Sequence, residues 1–308
     1  MNRNDIAVYA DQDHQQHGKI RTILASRLNY LIQEISVIKS SHRLSANNFL
    51  YSLSVLLLSV GMANFAYAET AEEKGLAIAK QSKARNLGWG DSQSELTMTL
   101  RNKKGQEVVR KMRSKSLEVD GDGDKGLTIF DTPLDVKGTA FLSFSHIEGN
   151  DDQWLFLPAL KRVKRIASRN KSGPFLSSEF AFEDLSSFEV EKNTYLYLRD
   201  EEYDGMNTSL VEMRPVDKHS GYTRFIVWID LDHYRVHKID FYDRRDTLMK
   251  TLTIKDYSLY KDKYWRAHKQ FMVNHKTGKS TDIEINNLRF DTGLTDADFN
   301  ENRLARAR

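Results

Sequence analysis

Alternating acidic residues in one short stretch of the sequence suggest a calcium site. Asp120-Gly-Asp122-Gly-Asp124 resembles the start of a calcium-binding loop, in which carboxylates at alternate positions supply oxygen ligands. Such a loop also needs glycine at its sixth position and glutamate at its twelfth, where this chain has Lys125 and Asp131. We therefore interpret the stretch as an exposed acidic turn of a hairpin.

A pair of histidines suggests a second metal chemistry. His233 and His237 are four residues apart, which places both on one face of a strand, and Asp230 and Asp232 lie nearby in the sequence. Zinc requires three or four ligands that converge on one point, and a single pair does not supply them. The sequence thus predicts no metal.

A serine nucleophile is the remaining chemistry to test. Gly90-Asp-Ser92-Gln-Ser94 resembles part of a nucleophile elbow, but it lacks the second glycine and no strand-to-helix turn is expected there. The chain has no cysteine, which excludes a thiolate nucleophile, a disulfide, a thiolate metal site and a lipidated cysteine. We predict a protein that is not an enzyme and has no cofactor, with a hydrolase as the least favoured alternative.

An apolar segment near the N-terminus indicates export. Residues 49–68 form this segment, basic Lys39 and Arg43 precede it, and it ends in Ala66-Tyr67-Ala68. A basic flank, an apolar centre and a small-residue exit are the parts of a secretory signal peptide. Serines, a glycine and an asparagine interrupt the segment, which makes it weak as a membrane-spanning helix.

The export signal determines the predicted domain organisation. Residues 1–68 are predicted to be an N-terminal extension plus a signal peptide that is cleaved after Ala68, and translation from near Val37 is an alternative start. Residues 69–308 are long enough for one substantial domain, which we expect in the periplasm. The net charge of +3 is close to balance, so neither charge nor compartment favours nucleic acid as a partner.

The mature sequence changes from one helical segment to strands. Thr70 and Glu73 have the spacing of a capping box, and a helix is predicted over residues 71–86 before Gly88 and Gly90. From Leu96 onward, apolar and polar residues alternate in short segments that local turns separate. The pattern predicts a mainly β fold with α elements: one strongly curved antiparallel sheet of about ten or eleven strands. Its apolar concave face needs the N-terminal helix, short helices, loops or a ligand to cover it.

Long composite motifs carry a resemblance to a known family. They include GWGDSQSELTMTLRNKKGQE at residues 88–107, DDQWLFLPALKRVKRIASRNKSGPFLSSEFAFEDL at residues 151–185, and LRFDTGLTDADF at residues 288–299. The mature chain resembles the outer membrane lipoprotein-sorting protein-like family, in the LolA/LolB-like fold group. The resemblance implies a half-barrel with helices across its mouth and a hydrophobic cavity that holds acyl chains without covalent chemistry.

The resemblance also implies a function and partners. The expected function is a carrier of lipids or of lipid-modified or other hydrophobic molecules between the inner and outer membranes. The branch it resembles is associated with efflux transporters, which implies an inner-membrane RND-type transporter as a partner. Transient contact with the membrane surface and a monomeric state are further expectations. A lipid-sensing regulatory protein on the same scaffold is the alternative.

Apolar residues of the strands are the expected cavity wall. Burial of hydrocarbon contributes roughly 0.8 kcal/mol per CH₂, so a sixteen-carbon chain gains at most roughly 12 kcal/mol in a dry cavity. The predicted lipid-binding residues are Leu96, Met98, Leu100, Ile129, Phe141, Trp154, Phe156, Phe225, Val227 and Ile229. Ordinary core packing is the competing interpretation for each of them alone. The predicted gate at the mouth consists of Phe175, Phe180 and Phe182.

A dense basic run follows the Trp154 segment. Pro158-Ala159 is predicted to turn the chain, and the returning strand carries Lys161, Arg162, Lys164 and Arg165 at the rim. Two interpretations of these charges are open. They belong to a solvated outer face, or they form a docking patch for anionic head groups or an acidic partner surface.

Overall fold

The computed structural model describes residues 69–307. The predicted signal peptide and alternative start therefore lie outside the described residues. Within residues 69–307, no helix has both the length and the apolar composition that crossing a membrane requires.

In the described part of the chain, thirteen antiparallel strands form one curved sheet that does not close. The first seven strands are β1 (Asp91–Arg101), β2 (Glu107–Leu117), β3 (Lys125–Thr132), β4 (Ala140–Phe144), β5 (Asp152–Leu157), β6 (Arg162–Arg165) and β7 (Asn193–Tyr203). The other six are β8 (Met206–Pro215), β9 (Tyr222–Asp230), β10 (Val236–Asp243), β11 (Leu248–Tyr260), β12 (Tyr264–Asn274) and β13 (Lys279–Phe290). The predicted fold class is confirmed, with a few more strands than expected.

The strand order explains how the sheet is covered. The order is β6-β5-β4-β3-β2-β1-β13-β12-β11-β10-β9-β8-β7, so the chain meanders to one edge at β6 and resumes at the opposite edge with β7. The connection between these edges, residues 166–192, must therefore cross a face of the sheet; we call it the strap. The face that the strap covers is the inner face, and the other is the outer face.

The helix α1 (Ala71–Ala84) covers the inner face next to β7. The backbone N–H of Glu73 donates to the Thr70 hydroxyl, and the N–H of Thr70 donates to the Glu73 carboxylate, which confirms the predicted capping box. Ile78 and Ala79 pack against apolar residues of β8 and β9. Gly75 permits this packing, because a Cβ atom there would lie 2.8 Å from the backbone nitrogen of Tyr197.

The strap packs into the inner face through aromatic rings. Phe175 and Phe180 are buried, and Phe175 contacts both Phe130 and Phe141, with ring centroids 5.9 and 5.1 Å apart. Met98 and Met112 belong to the same cluster. The strap therefore fills one part of the inner face and leaves the rest open.

The C-terminal segment covers part of the outer face. Short 3-10 helices at Asp296–Asp298 and Glu301–Arg306 follow β13. Phe299 and Leu304 are buried against residues of β3 and β4 such as Leu127. Burying each of these two side chains contributes about 1.5–3 kcal/mol, so the segment is an integral part of the fold. The sheet thus has apolar residues on both faces at this end.

Candidate functional site

A large cavity lies on the inner face of the sheet, between α1, the strap and the strands. Its volume is about 1560 Å³. Pockets for small molecules usually have volumes of about 300–1,000 Å³, so this cavity has room for a larger ligand. The cavity is the feature of the described residues that best suits the binding of a molecule.

One side of the cavity is apolar. Alternate residues of β9, β10, β11 and β13 point inward, because side chains of a strand alternate between the two faces. These residues, which we call the apolar wall, are Val227, Ile229, Ile239, Leu252, Ile254 and Ile285. Phe225 and Leu96 also line the cavity. This side suits hydrocarbon, which loses contact with water when it is bound here.

The opposite side of the cavity is rich in serine. Inward residues of β1 and β2 change along each strand from apolar to small and polar. Met98 on β1 and Met112 on β2 lie in the core beneath the strap. Beyond Leu96, the inward positions that line the cavity are Ser92, Ser94, Ser114 and Ser116. The cavity is therefore amphipathic across its width.

Charged groups lie where α1 meets the strap and the turn before β3. The Lys83 ammonium and the Glu189 carboxylate form an ion pair at 2.9 Å, and the Ser187 hydroxyl donates to the same carboxylate. Asp124 lines the cavity beside them, and its backbone N–H donates to the Ser187 hydroxyl. Burial raises the pKa of the Asp124 carboxyl to about 6, and Glu189 and Glu118 add to the rise while Lys83 opposes it.

Asp124→Asn is expected to stabilise the protein at about pH 8 and to leave it unchanged at about pH 4. The pKa of Asp124 in the folded state is above its ordinary value of 3.8, so the fold disfavours the ionised carboxylate. This penalty is absent below about pH 4, grows between about pH 4 and pH 6, and stays constant above that at no more than about 3 kcal/mol. Urea denaturation of wild type and variant at both pH values measures the difference.

Asp120→Asn is the matched control for this prediction, because Asp120 is exposed in the same turn. The control should change the free energy of unfolding little at either pH. A gain for Asp124→Asn that is equal at about pH 4 and about pH 8 would contradict the assignment of a raised pKa.

A buried ion pair fixes the strap to the inner face. The Lys250 ammonium lies 2.5 Å from the Asp184 carboxylate, and it also donates to the carbonyl oxygen of Glu179 at 3.0 Å. The Tyr222 hydroxyl donates to the other oxygen of Asp184 at 2.8 Å. Burial raises the pKa of Tyr222 well above its usual value, which keeps this hydroxyl a donor. The pair holds the strap at one boundary of the cavity.

The residues predicted for the cavity wall separate into three groups. Leu96, Phe225, Val227 and Ile229 line the cavity. Met98, Leu100 and Phe141 lie on the same face but belong to the core cluster beneath the strap.

The third group, Ile129, Trp154 and Phe156, lies on the outer face instead of the predicted cavity wall. Trp154 and Phe156 pack in the cluster that contains Phe299 and Leu304. Alternation along β5 explains this difference, because Leu155 and Leu157 take the inward positions that were assigned to Trp154 and Phe156.

The predicted gate residues belong to the strap. Phe175 and Phe180 are buried, Phe182 is partly buried, and Phe180 reaches the cavity. Phe182 packs edge-on against Phe175, with ring centroids 5.6 Å apart. A gating function for these three rings stays a prediction.

The predicted basic patch lies at the edge of the sheet. Lys161, Arg162, Lys164 and Arg165 are exposed on β6 and the residue before it, and they do not line the cavity. Arg165 forms an ion pair with Asp152 on the neighbouring strand. Charged residues on an edge strand also oppose pairing with other sheets, so their position fits both interpretations of the basic run.

The apolar residues of β10, β11 and β13 and the serines opposite them were not among the residues predicted from the sequence. The signal that identifies Ser92 and Ser94 is their even numbering, which they share with Leu96 and Met98 on β1. For β11, Leu252 and Ile254 share the parity of the inward Lys250. Periodicity places such residues on one face, but it does not say which face is the inner one.

The motifs that suggested metal chemistry have other partners. Asp122 accepts a hydrogen bond from the His146 ring at 2.8 Å, and this contact lowers the pKa of Asp122 to about 2. Asp230 lies 2.7 Å from the His237 ring and accepts from Arg235. Among residues 69–307, no group of three or more His, Asp or Glu side chains is arranged to hold a metal ion.

Comparisons with known proteins assign the family. A family model described as an uncharacterized protein matches residues 122–306. A search of curated proteins finds no match.

Three solved structures are similar to the chain. A domain named as an outer membrane lipoprotein-sorting protein, from Vibrio parahaemolyticus, is 60% identical, with a TM-score of 0.75 over 76% of this chain and 100% of that one. A DUF1329 family protein from Desulfovibrio piger is 30% identical, with a TM-score of 0.72 over 76% of this chain and 99% of that one. A LolA superfamily protein from Nitrosomonas europaea shares the fold at 18% identity, with a TM-score of 0.59 over 76% of this chain and 98% of that one. The chain therefore belongs to the outer membrane lipoprotein-sorting protein-like family that the motifs of its sequence predict.

Proposed function

We propose that this protein binds lipids or other hydrophobic molecules in its inner cavity and carries them through the periplasm. The observation that supports this most directly is the cavity of about 1560 Å³ with its apolar wall. Membership of a family named for lipoprotein sorting supports the same function. The proposed activity is binding and transport without a covalent step.

The energetics of the cavity suit a carrier. A ligand of sixteen carbons gains up to roughly 12 kcal/mol when its hydrocarbon leaves water, which is enough to hold it during passage through an aqueous compartment. Association and ordering of the ligand cost several kcal/mol, so the net affinity is lower and release stays feasible. The amphipathic lining reduces the apolar contact further.

The proposed location and partners follow from the sequence. The signal-peptide pattern that ends at Ala68 supports a proposed location in the periplasm, between the two membranes that a lipid carrier connects. An inner-membrane RND-type transporter is the proposed source or recipient of the ligand. The protein is proposed to act as a monomer and to touch the membrane surface through the basic residues of β6.

Lipid analysis of the exported protein tests this function. The full precursor is expressed, and the mature protein is purified from the envelope without detergent and extracted for lipid mass spectrometry. We expect a lipid at a stoichiometry near one per protein. The control is Ala267→Trp, because Ala267 lines the cavity on β12 and a bulky ring there reduces the space for a ligand. Wild-type protein that carries no lipid and takes up none from added vesicles would refute the proposal.

A further inference from the structure

A continuous row of small polar residues crosses four strands of the inner face. Ser92 on β1 lies opposite Ser116 on β2, and Ser116 lies opposite Gly126 on β3. Gly126 in turn lies opposite Ser143 on β4. Side chains that are directly opposite have Cβ atoms about 4.5–5.5 Å apart, so the three hydroxyls lie in one line across the sheet. We call these four residues the serine row, and all of them line the cavity.

The hydroxyls of the row have no partners among the described residues. Ser92, Ser116 and Ser143 form no side-chain hydrogen bond within residues 69–307, although Ser143 is only 5% exposed. The hydroxyl is not one of the fully enclosed side-chain atoms that lack a partner in this part of the chain, which are Arg110 Nε and Asp282 Oδ1, so it is open to water or a ligand in the cavity. Ser143 faces the cavity, so its partner is expected there.

Gly126 leaves space at the centre of the row. A Cβ atom at this position would lie 3.0 Å from the Ser143 hydroxyl oxygen, which is closer than such atoms normally approach. The absence of a side chain keeps the Ser143 hydroxyl accessible from the side of Ser116. A polar group in the cavity can therefore reach hydroxyls on both sides of Gly126.

The charge next to the row selects among polar ligands. Asp124 immediately precedes β3, and its carbonyl oxygen accepts a hydrogen bond from the backbone N–H of Ser145 just beyond β4. Its carboxyl group thus flanks the row, while both neighbouring cations have partners elsewhere: Lys83 pairs with Glu189, and Arg266 donates to the Asn86 side chain. A negative head group would be repelled by Asp124, whereas a hydroxyl can donate to this carboxylate and to the serines.

We propose that the serine row is a subsite for the uncharged, hydroxyl-bearing head group of a lipid whose hydrocarbon chain lies on the apolar wall. This inference rests on the proposed function and adds the class of ligand. Serine hydroxyls both donate and accept, so they pair with a polyol or sugar head group in several orientations. The predicted ligand class is thus a neutral amphipathic lipid.

Three ligands with the same oleoyl chain test the head-group subsite. They are 1-monooleoylglycerol, methyl oleate and oleate, and each displaces a fluorescent acyl probe from the delipidated mature protein. Wild type is expected to bind 1-monooleoylglycerol about tenfold more tightly than methyl oleate, because each added hydrogen bond contributes a factor of several. Oleate is expected to bind more weakly than 1-monooleoylglycerol.

The variant for this test removes the hydroxyls and retains the shape of the cavity. S92A/S116A/S143A should reduce the preference for 1-monooleoylglycerol to about twofold or less and leave methyl oleate unchanged. Methyl oleate thus also reports whether the variant is folded. T97V/T99V is the control, because Thr97 and Thr99 lie on the outer face of β1. This variant should retain the full preference for 1-monooleoylglycerol.

The outcomes separate the two proposals. Equal affinity of wild type for 1-monooleoylglycerol and methyl oleate, or a preference that survives in the triple serine variant, would overturn the head-group subsite while the carrier function stands. Tighter binding of oleate would overturn the neutral class of ligand. If none of the three compounds binds, the proposed function fails, and the subsite fails with it.

Discussion

Replacing Asp184 with alanine is expected to lower the free energy of unfolding by about 3–5 kcal/mol. The substitution leaves the Lys250 ammonium, 1% exposed, without its anionic partner at 2.5 Å. It also removes the acceptor of the Tyr222 hydroxyl and of the backbone N–H of Ala181. A buried charge that loses its partner keeps its desolvation penalty, which is why the expected effect is large. Urea denaturation measures it.

Replacing both members of the ion pair identifies the cause of this loss. If the unpaired ammonium is responsible, K250M/D184L should be much more stable than D184A, since apolar residues of similar volume often replace a buried ion pair without loss. Asp131→Ala is the control, because Asp131 pairs with Arg113 at 2.7 Å near the surface. That exposed pair should contribute less than about 1 kcal/mol. A loss for D184A as small as that of the control would contradict the prediction.

The same variant should loosen the strap. Asp184 and Glu179 are the strap residues that Lys250 holds, and basic Arg169 and Lys171 lie nearby in the chain. Trypsin is therefore expected to cleave the strap of D184A faster than that of wild type, because local opening exposes these sites. Since the strap borders the cavity, its attachment also helps to determine the space available to a ligand.

The elements that local sequence specifies were predictable. Thr70 and Glu73 define the start of α1, and the structure contains the capping box with both hydrogen bonds. The turn at Asn102–Gly105 joins β1 and β2, and the Asn102 side chain accepts from backbone N–H groups of the turn. These features depend on residues a few positions apart, so their chemistry is visible in the sequence.

The orientation of the strands was less predictable. In β5, Trp154 and Phe156 are larger than Leu155 and Leu157, so residue size suggested the wrong pair for the inner face. The outer face of this strand is also buried, because Phe299 and Leu304 return to it from more than 140 positions away. When both faces of a strand are apolar, alternation no longer indicates which one faces the cavity.

The polar interior was hidden for a related reason. Ser92, Ser116 and Ser143 are separated by up to 51 positions and become neighbours only through the pairing of four strands. Lys250 and Asp184 are similarly distant and meet because the strap returns across the inner face. Isolated serine and lysine residues usually indicate solvent exposure, and only the register of the sheet shows that these face a cavity.

A carboxylate in the apolar wall is expected to weaken lipid binding strongly. Ile254→Asp places a charge among Ile239, Leu252 and Ile285, where a bound hydrocarbon chain would have to exclude water from it. Desolvation of an unpaired carboxylate costs several kcal/mol, so the affinity for methyl oleate should fall by about 100-fold or more. Displacement of the fluorescent acyl probe measures this loss.

Phe271→Asp is the matched control for Ile254→Asp. Phe271 lies on the adjacent strand β12, and 41% of it is exposed on the outer face, so both variants introduce the same group into the middle of the same sheet. The control should bind methyl oleate as wild type does, because its carboxylate stays in water. Ile254 is itself only partly buried, so the Ile254→Asp variant is expected to fold. Urea denaturation checks this. If folded Ile254→Asp binds methyl oleate as tightly as Phe271→Asp, the hydrocarbon chain does not lie on the apolar wall, and the cavity is not the binding site.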